Sequence, residues 1–145
     1  MIRKTIAAVA VVWAMASFGP AAQAESPAMG TWIMDNGKVT VKVSECNGNL
    51  CGTIVALKKP LDDEGRPKLD KENPNPSLRK RRVIGLTILN NMKPNGDNKW
   101  KGTIYNPDDG YTYSSRMQLK SADRMKVEGC VAGIFCKSMH FKRIK

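Results

Sequence analysis

Residues 39–52 have the sequence VTVKVSECNGNLCG, in which three valines alternate with polar side chains ahead of a turn flanked by two cysteines. Alternation with a period of two is typical of a strand with one buried face. A two-residue turn at 48–49 would set Cys46 directly opposite Cys51, at a separation that suits a disulfide. With that register the valines face apolar residues across the hairpin: Val43 opposite Ile54, and Val41 opposite Ala56. The segment predicts a disulfide-linked β-hairpin.

The end of the chain has the same arrangement. A three-residue loop at 132–134 places Cys130 opposite Cys136. The same register pairs apolar residues on the other face of the hairpin: Val127 with Met139, and Met125 with Phe141. Four cysteines allow three connectivities, and these registers favour Cys46–Cys51 and Cys130–Cys136, with both disulfides on the polar face. The spacing of the second pair does not match the paired knuckles of a zinc site, so no metal is expected.

Strand patterns recur between these two hairpins, and no segment shows a sustained helical period. Further strands are predicted at 29–34, 83–90, 99–104 and 111–120, with turn residues between them. About eight strands in consecutive hairpins predict an all-β domain, a single antiparallel up-and-down barrel, since closure removes exposed edges. A two-sheet sandwich is the alternative. A barrel of eight strands can just enclose one small ligand.

The first 24 residues have the three parts of a secretory signal peptide. Two basic residues precede an apolar run at 6–18, and Ala-Gln-Ala at 22–24 forms a cleavage pattern. The Gly-Pro pair at 19–20 ends the run before the roughly 20 apolar residues that a membrane-spanning helix needs. We expect cleavage to leave residues 25–145 as one β-barrel domain, periplasmic or secreted and not membrane-spanning. An uncleaved anchor is the alternative.

The charge of the exported chain points to anionic partners. Without the two basic residues of the signal peptide it keeps 22 basic and 13 acidic side chains, a net charge of +9. Outside the cytoplasm such a surface meets anionic lipid headgroups, lipopolysaccharide phosphates or acidic polymers and proteins rather than nucleic acid. The alternative is a solvated surface that keeps a small protein soluble.

Residues 58–82 form a long, polar, proline-rich connection, and loops of that length are usually functional or disordered. Asp70 and Asn73 can cap turns there, and residues 77–79 can form one helical turn. We expect Arg79 to bond to Asp70. The segment ends in Arg79-Lys80-Arg81-Arg82, the densest positive charge in the chain, which is either an anion-contacting rim or a solvated hinge. The predicted loop and anion-contact residues are Asp70, Asn73, Arg79, Arg81 and Arg82.

The order of these motifs resembles an exported bacterial family, domain of unknown function 2147. The residues that carry the resemblance are Gly30-x-Trp32, Val41-x-Val43-x-x-Cys46-x-Gly48-x-Leu50-Cys51-Gly52, Asp70-x-x-Asn73-Pro74 with Leu78-Arg79, Gly85, Trp100-x-Gly102-x-Ile104-Tyr105-x-Pro107-x-x-Gly110, and Val127-x-Gly129-Cys130 with Cys136. The resemblance implies a lipocalin-like (calycin) barrel and no settled activity or ligand. Phe141 stands where the family tends to have a late Trp.

Gly30-x-Trp32 also resembles the lipocalin signature, in which a late arginine covers the tryptophan. Arg143 follows Met139 and Phe141 on the inward-facing positions of the last strand, so it is the expected partner of Trp32. Core packing alone is the alternative role for Trp32.

Nothing in the sequence singles out catalytic chemistry. His140 is the only histidine and its register turns it toward solvent, so a histidine-activated nucleophile is not expected. The acidic clusters at 62–64 and 108–109 lie in turns and lack the spacing of a calcium loop. We expect a protein that is not an enzyme and uses no cofactor.

Two binding functions remain. In the first, the barrel holds a small apolar or amphipathic ligand, lined by Trp100, Tyr111, Tyr113, Met117, Met125 and Met139, since methionine adapts to irregular shapes. These residues would equally suit a filled core. In the second, a monomeric envelope protein recognises an anionic polymer, lipid or protein through residues 79–82.

Overall fold

The computed structural model describes residues 13–21 and 24–145. Eight antiparallel strands form a closed barrel in which each strand pairs with the next and the last pairs with the first. The strands are β1 Gly30–Met34, β2 Val39–Cys46, β3 Asn49–Leu57, β4 Thr87–Pro94, β5 Lys99–Asn106, β6 Tyr111–Ser121, β7 Arg124–Val131 and β8 Phe135–Arg143. A short 3-10 helix, Pro76–Leu78, lies in the long connection before β4. The predicted up-and-down barrel is confirmed.

The turn of the β2–β3 hairpin lies one residue earlier than predicted. Asn47 and Gly48 both have positive φ, 51° and 82°, and Cys46 pairs with Asn49. An Asn-Gly pair suits this turn because both residues tolerate positive φ. The predicted register is therefore wrong, and the observed pairs are Val43–Gly52 and Val41–Ile54.

Both predicted disulfides are present. Cys46–Cys51 joins diagonal positions with Cα atoms 5.9 Å apart, and Cys130–Cys136 joins directly paired positions with Cα atoms 4.0 Å apart. The predicted register of the β7–β8 hairpin is confirmed, with pairs Val127–Met139 and Met125–Phe141. The Nη2 atom of Arg116 lies 3.1 Å from the sulfur of Cys136, which places this disulfide on the polar outer face.

Strand β4 begins four residues later than the predicted 83–90 strand. The apolar residues Val83 and Leu86 are buried, but they belong to the end of the long connection. The amide of Gly85 donates to the carbonyl of Ile54, and Ile54 donates in turn to the carbonyl of Leu86. Burial beneath a connecting segment gives the same apolar pattern as burial in a strand, which explains the displaced prediction.

The barrel interior is filled by large apolar side chains. Its most deeply buried members are Trp32, Met92, Met117, Met125, Val41, Val43 and Val127. Other buried residues complete one continuous cluster: Leu50, Ile54, Leu89, Trp100, Ile104, Leu119 and Phe141. The fold is therefore stabilised mainly by apolar burial inside the closed sheet.

The barrel closes where Arg143 covers Trp32. The two residues are paired between β1 and β8, and the guanidinium carbon lies 4.2 Å from the centre of the Trp32 ring. The same guanidinium donates to the carbonyls of Pro27, Met29 and Ala122 at 2.6, 2.6 and 2.8 Å. The expected pairing is confirmed, and Arg143 connects the segment before β1 with the β6–β7 turn.

The predicted signal peptide, residues 1–24, lies mostly outside the described residues and stays a prediction. In the part of the chain that the structure describes, no helix is long and apolar enough to cross a membrane. The two disulfides fit a periplasmic or extracellular protein.

Replacing Trp32 and Arg143 separately and together tests the closure. Trp32→Ala should lower the free energy of unfolding by about 3–5 kcal/mol, as expected for a buried tryptophan. In a double-mutant cycle, Trp32→Ala and Arg143→Ala should couple by about 0.5–2 kcal/mol, the range of a cation–π contact. Arg124→Ala, which removes an exposed arginine bonded to Asp35, should show no coupling to Trp32. Additive effects of the first pair in urea unfolding would contradict the contact.

Candidate functional site

The six residues predicted to line a ligand cavity fall into three groups. Trp100, Met117 and Met125 are buried in the packed core, while Tyr113 and Met139 are partly buried and pack against it. Tyr111 is 67% exposed, because it begins β6 and lies beyond the last layer of core side chains. Tyr111 therefore does not line the interior, and the other five belong to the filled cluster.

Ser115 is a polar residue that the sequence analysis missed. It is fully buried on the inner face of β6, and its hydroxyl has no hydrogen-bond partner among the described residues. Its neighbours on the adjacent strands are Gly102 and Gly129. An unpaired buried hydroxyl is unfavourable by about 1–3 kcal/mol, and Ser115 is the one buried side chain of the described residues whose polar atom has no partner.

Four connections share one end of the barrel, which we call the loop end. They are residues 35–38, 58–86, 107–110 and 132–134, since alternate turns of an up-and-down barrel lie at the same end. The 58–86 connection folds back on itself: the amide of Asp70 donates to the carbonyl of Arg81, and the amide of Val83 to that of Lys68. The long connection is therefore an ordered ribbon.

A buried carboxylate holds this ribbon to the barrel. Asp70 has no exposed surface. Its carboxylate accepts hydrogen bonds from the Tyr105 hydroxyl at 2.5 Å, the side-chain amide of Asn73 at 2.8 Å and the Arg81 guanidinium at 2.9 Å. Burial acts to raise the pKa of Asp70, but these three bonds outweigh it and hold the pKa below its ordinary value. Burial and the bond to Asp70 raise the pKa of Tyr105 to about 12, so its hydroxyl stays protonated and donates.

The ribbon also packs closely onto the β5–β6 turn. Gly110 has a positive φ of 75°, and a Cβ atom there would lie 1.9 Å from the carbonyl oxygen of Glu72. Only glycine permits this approach. Together with the Tyr105–Asp70 bond, it gives the ribbon a second fixed contact with the barrel.

The basic run divides into structural and free members. Arg79 donates to the carbonyl of Asn73 at 2.7 Å, whereas Arg81 bonds to Asp70. The expected Arg79–Asp70 bond is therefore wrong, because the backbone pairing of Asp70 with Arg81 places Arg81 nearer the carboxylate. Lys80 and Arg82 are exposed, and neither makes an ion pair within the described ranges.

Two residues of the predicted anion-contact set serve the loop instead. Asp70 and Asn73 are buried, and the side chain of Asn73 also accepts from the amide of Asn75. Asn75 in turn caps the 3-10 helix by accepting from the amide of Ser77. The predicted turn-capping role is confirmed, while contact between these side chains and an external anion is excluded by burial.

Arg82 takes part in a pocket on the ribbon, which we call the loop pocket. Its volume is about 270 Å³ and its lining is Asp62, Arg66, Pro67, Leu69, Lys71 and Arg82. Asp62 bonds to Arg66 at 3.2 Å and lies 3.9 Å from Lys71, so Arg82 is the cation of this set without an ion pair. Three cations around an apolar floor suit an anionic group attached to an apolar segment.

A second pocket lies on the outer surface of β5–β7. Its volume is also about 270 Å³, and it is lined by outward-facing side chains, with Trp100 and Met117 behind them: Asn95, Lys99, Arg116, Gln118, Lys126 and Glu128. Arg116 and Lys126 both bond to Glu128, so its charges are largely paired.

The fold and the closure motif define a lipocalin-like protein, a small closed barrel whose first-strand tryptophan is covered by an arginine of the last strand. The chain belongs to the family described as "uncharacterized protein conserved in bacteria (DUF2147)", which residues 30–143 match. It is similar to the solved structure of protein HP1028 from the human pathogen Helicobacter pylori, described as belonging to the lipocalin family. The identity is 28%, the TM-score is 0.67, and the match covers 81% of this chain and 82% of that chain. No curated protein matches the chain.

Removing the Tyr105 hydroxyl tests the buried carboxylate. Tyr105→Phe should lower the free energy of unfolding by about 1.5–3 kcal/mol at pH 7, the usual size of a hydrogen bond to a charged group. Because the pKa of Asp70 is lowered in the folded state, this stabilisation is present above the ordinary pKa and is lost as pH falls through the lowered value. The difference between parent and variant should therefore shrink toward pH 3 in urea unfolding (about one pH unit below an ordinary Asp pKa).

Tyr113→Phe is the matched control, since the Tyr113 hydroxyl donates to the exposed Asp109 at 2.6 Å. It should cause a smaller loss. Equal losses from the two variants would show that burial of Asp70 adds nothing to its hydrogen bonds.

Proposed function

We propose that this protein is an exported, non-catalytic binding protein of the bacterial cell envelope that recognises an anionic, partly apolar molecule at the loop end of the barrel. The loop pocket supports the proposal: it combines an apolar floor at Pro67 and Leu69 with the unpaired cation Arg82. Exposed arginines bind carboxylate or phosphate groups through charge-assisted hydrogen bonds. The buried Asp70 network fixes the ribbon before a ligand arrives.

The packed interior favours this surface over carriage inside the barrel. Ligand cavities of small-molecule carriers usually have about 300–1,000 Å³ of space, whereas five of the six residues expected to line one here belong to the packed core cluster or lie against it. A net charge of +9 on the exported form favours anionic partners by attraction at a distance.

The absence of enzymatic activity is part of the proposal. His140 is exposed on β8 and lies opposite Lys126, and among the described residues its ring makes no hydrogen bond to a hydroxyl or thiol. The carboxylates around the loop pocket, Asp62 and Glu64, both bond to Arg66. These groups are suited to holding the loop rather than to proton transfer.

Single charge removals test the loop pocket. Binding of dodecyl phosphate, measured by titration calorimetry below its micelle concentration, should weaken about tenfold or more in Arg82→Ser, because one charge-assisted hydrogen bond contributes roughly 1.5–3 kcal/mol. Binding should also weaken with salt. The Tm should stay nearly unchanged, since the Arg82 side chain holds no other residue.

Lys80→Ser is the matched control: it removes the same charge from a position outside the pocket. It should weaken binding much less than Arg82→Ser. Equal weakening in the two variants would contradict the pocket and indicate that the whole basic run, residues 79–82, recognises the anion. If neither variant weakens binding, residues 79–82 form only a solvated face.

A ligand in the barrel is the second candidate function, and Ser115 is the observation that favours it. A ligand entering past Tyr113 and Met139 would reach this unpaired hydroxyl, with flexible methionine side chains moving aside. Ser115 on β6 is paired with Gly102 on β5 and with Gly129 on β7, so this part of the inner face carries only small residues.

An uncharged apolar probe tests this candidate. N-phenyl-1-naphthylamine should bind saturably, with a fluorescence increase, and Ser115→Ala should weaken binding because its hydroxyl accepts from the probe's N–H. The same variant should not lower the Tm, since it removes an unpaired buried hydroxyl. Absence of saturable probe binding would make the interior a filled core. Arg82→Ser serves as the control and should leave this binding unchanged.

A further inference from the structure

The tip of the β7–β8 hairpin exposes apolar side chains without a partner. Val131, Ile134 and Phe135 are 54, 76 and 74% exposed. With Ala132 and Gly133 they form an uncharged five-residue segment, 131–135, which we call the apolar tip. Other exposed large apolar residues of β3 to β8 are separated along the chain, so this concentration at one turn is distinct.

The apolar tip is held in place at its base. The Cys130–Cys136 disulfide joins the two strands immediately below it, and Val131 pairs with Phe135 above. Ala132 and Gly133 take positive φ values of 52° and 69° to complete the turn. Little backbone freedom therefore remains to be lost when these side chains enter an apolar environment.

Cations lie behind the apolar tip at a defined depth. Lys137 and Arg116 are exposed. Arg116 lies directly beside the disulfide and is ion-paired with Glu128, so Lys137 is the cation here that makes no ion pair among the described residues. Lys137 is three residues from Ile134, which at about 3.4 Å per strand residue places it roughly 10 Å behind the end of the hairpin. Apolar segments of interfacial proteins are buried about 5–10 Å into the headgroup and acyl boundary, with basic residues at the headgroup level.

We propose that the apolar tip inserts into an anionic lipid bilayer and that Lys137 contacts its headgroups. The inference goes beyond the proposed function, because it concerns a different turn of the loop end and a bilayer rather than a bound molecule. Charge complementarity favours lipid over a second copy of this basic chain. A stable protein dimer also needs about 20–30 residues from each partner, far more than this tip supplies.

Vesicle flotation tests the inference with the exported protein. Vesicles made of phosphatidylglycerol and phosphatidylethanolamine in equal parts should carry the parent protein upward in a density gradient. Ile134→Ser combined with Phe135→Ser should reduce the vesicle partition coefficient by about 10- to 100-fold, as expected for two apolar side chains that are partly buried. The control variant replaces two exposed apolar residues elsewhere, Val55→Ser with Ile144→Ser, and should float like the parent.

Depth is measured with Phe135→Trp, because Trp32 and Trp100 are buried and respond little to vesicles. Emission of the new tryptophan should shift to shorter wavelength and be quenched by lipids brominated in the acyl chain. Ser121→Trp at the opposite end of the barrel should show neither effect. Unchanged flotation of the serine variant or absence of quenching would overturn the inference, as would a parent dimer that the serine variant converts to monomers. The serine variant should bind dodecyl phosphate like the parent, so failure here is distinct from failure of the loop pocket.

Discussion

The contact between Arg143 and Trp32 is the constraint on which the barrel depends. β1 is only five residues long, and it pairs with β8 through three residues, as few as any two neighbouring strands of the sheet share. One guanidinium compensates by covering an aromatic face and donating to three carbonyls that belong to two separate turns. Because guanidinium donors are planar and fixed in direction, this single side chain sets both the closure and the position of the chain end.

A closed barrel also explains why the proposed binding residues lie on a connection. The closed sheet has no free edge strand, and its interior is filled. Side chains that bind a partner are therefore most easily placed on the connections at the ends of the barrel. The 58–86 connection is stabilised there by a carboxylate that is buried but fully hydrogen-bonded, a condition under which a buried charge is tolerated. Arg81 is used to compensate that charge, which leaves Lys80 and Arg82 available to solvent. Adjacent residues of like charge thus have different roles because alternate side chains of the ribbon face opposite ways.

Much of the fold could be predicted from local patterns. Alternation and turn residues gave the number of strands and the barrel, and the Cys130–Cys136 spacing gave the last hairpin correctly. The β2–β3 register was wrong because two overlapping dipeptides, Asn47-Gly48 and Gly48-Asn49, are both good turns, and only backbone pairing distinguishes them. Residues 83–86 were misassigned because buried apolar residues look alike in a strand and beneath a loop.

The candidate site was less predictable for a different reason. The Asp70–Tyr105 bond joins residues 35 positions apart, and no local pattern indicates such a partner. In the sequence, Arg66 and Lys71 are not distinguishable from other charged residues of the loop. The fold of the ribbon places them with Arg82 around one pocket. The unpaired hydroxyl of Ser115 also has no signal in the sequence, since an alternating strand accepts serine on either face. Long-range contacts of polar side chains depend on the completed fold.

The spacing of the cysteines simplifies oxidative assembly. Each disulfide joins cysteines separated by only five or six positions, and no cysteine pairs with one from the other hairpin. Joining cysteines in the order in which they occur along the chain therefore yields the native connectivity. A thiol oxidase alone is sufficient for such a chain, since no non-native bond has to be reshuffled by an isomerase before the barrel can close.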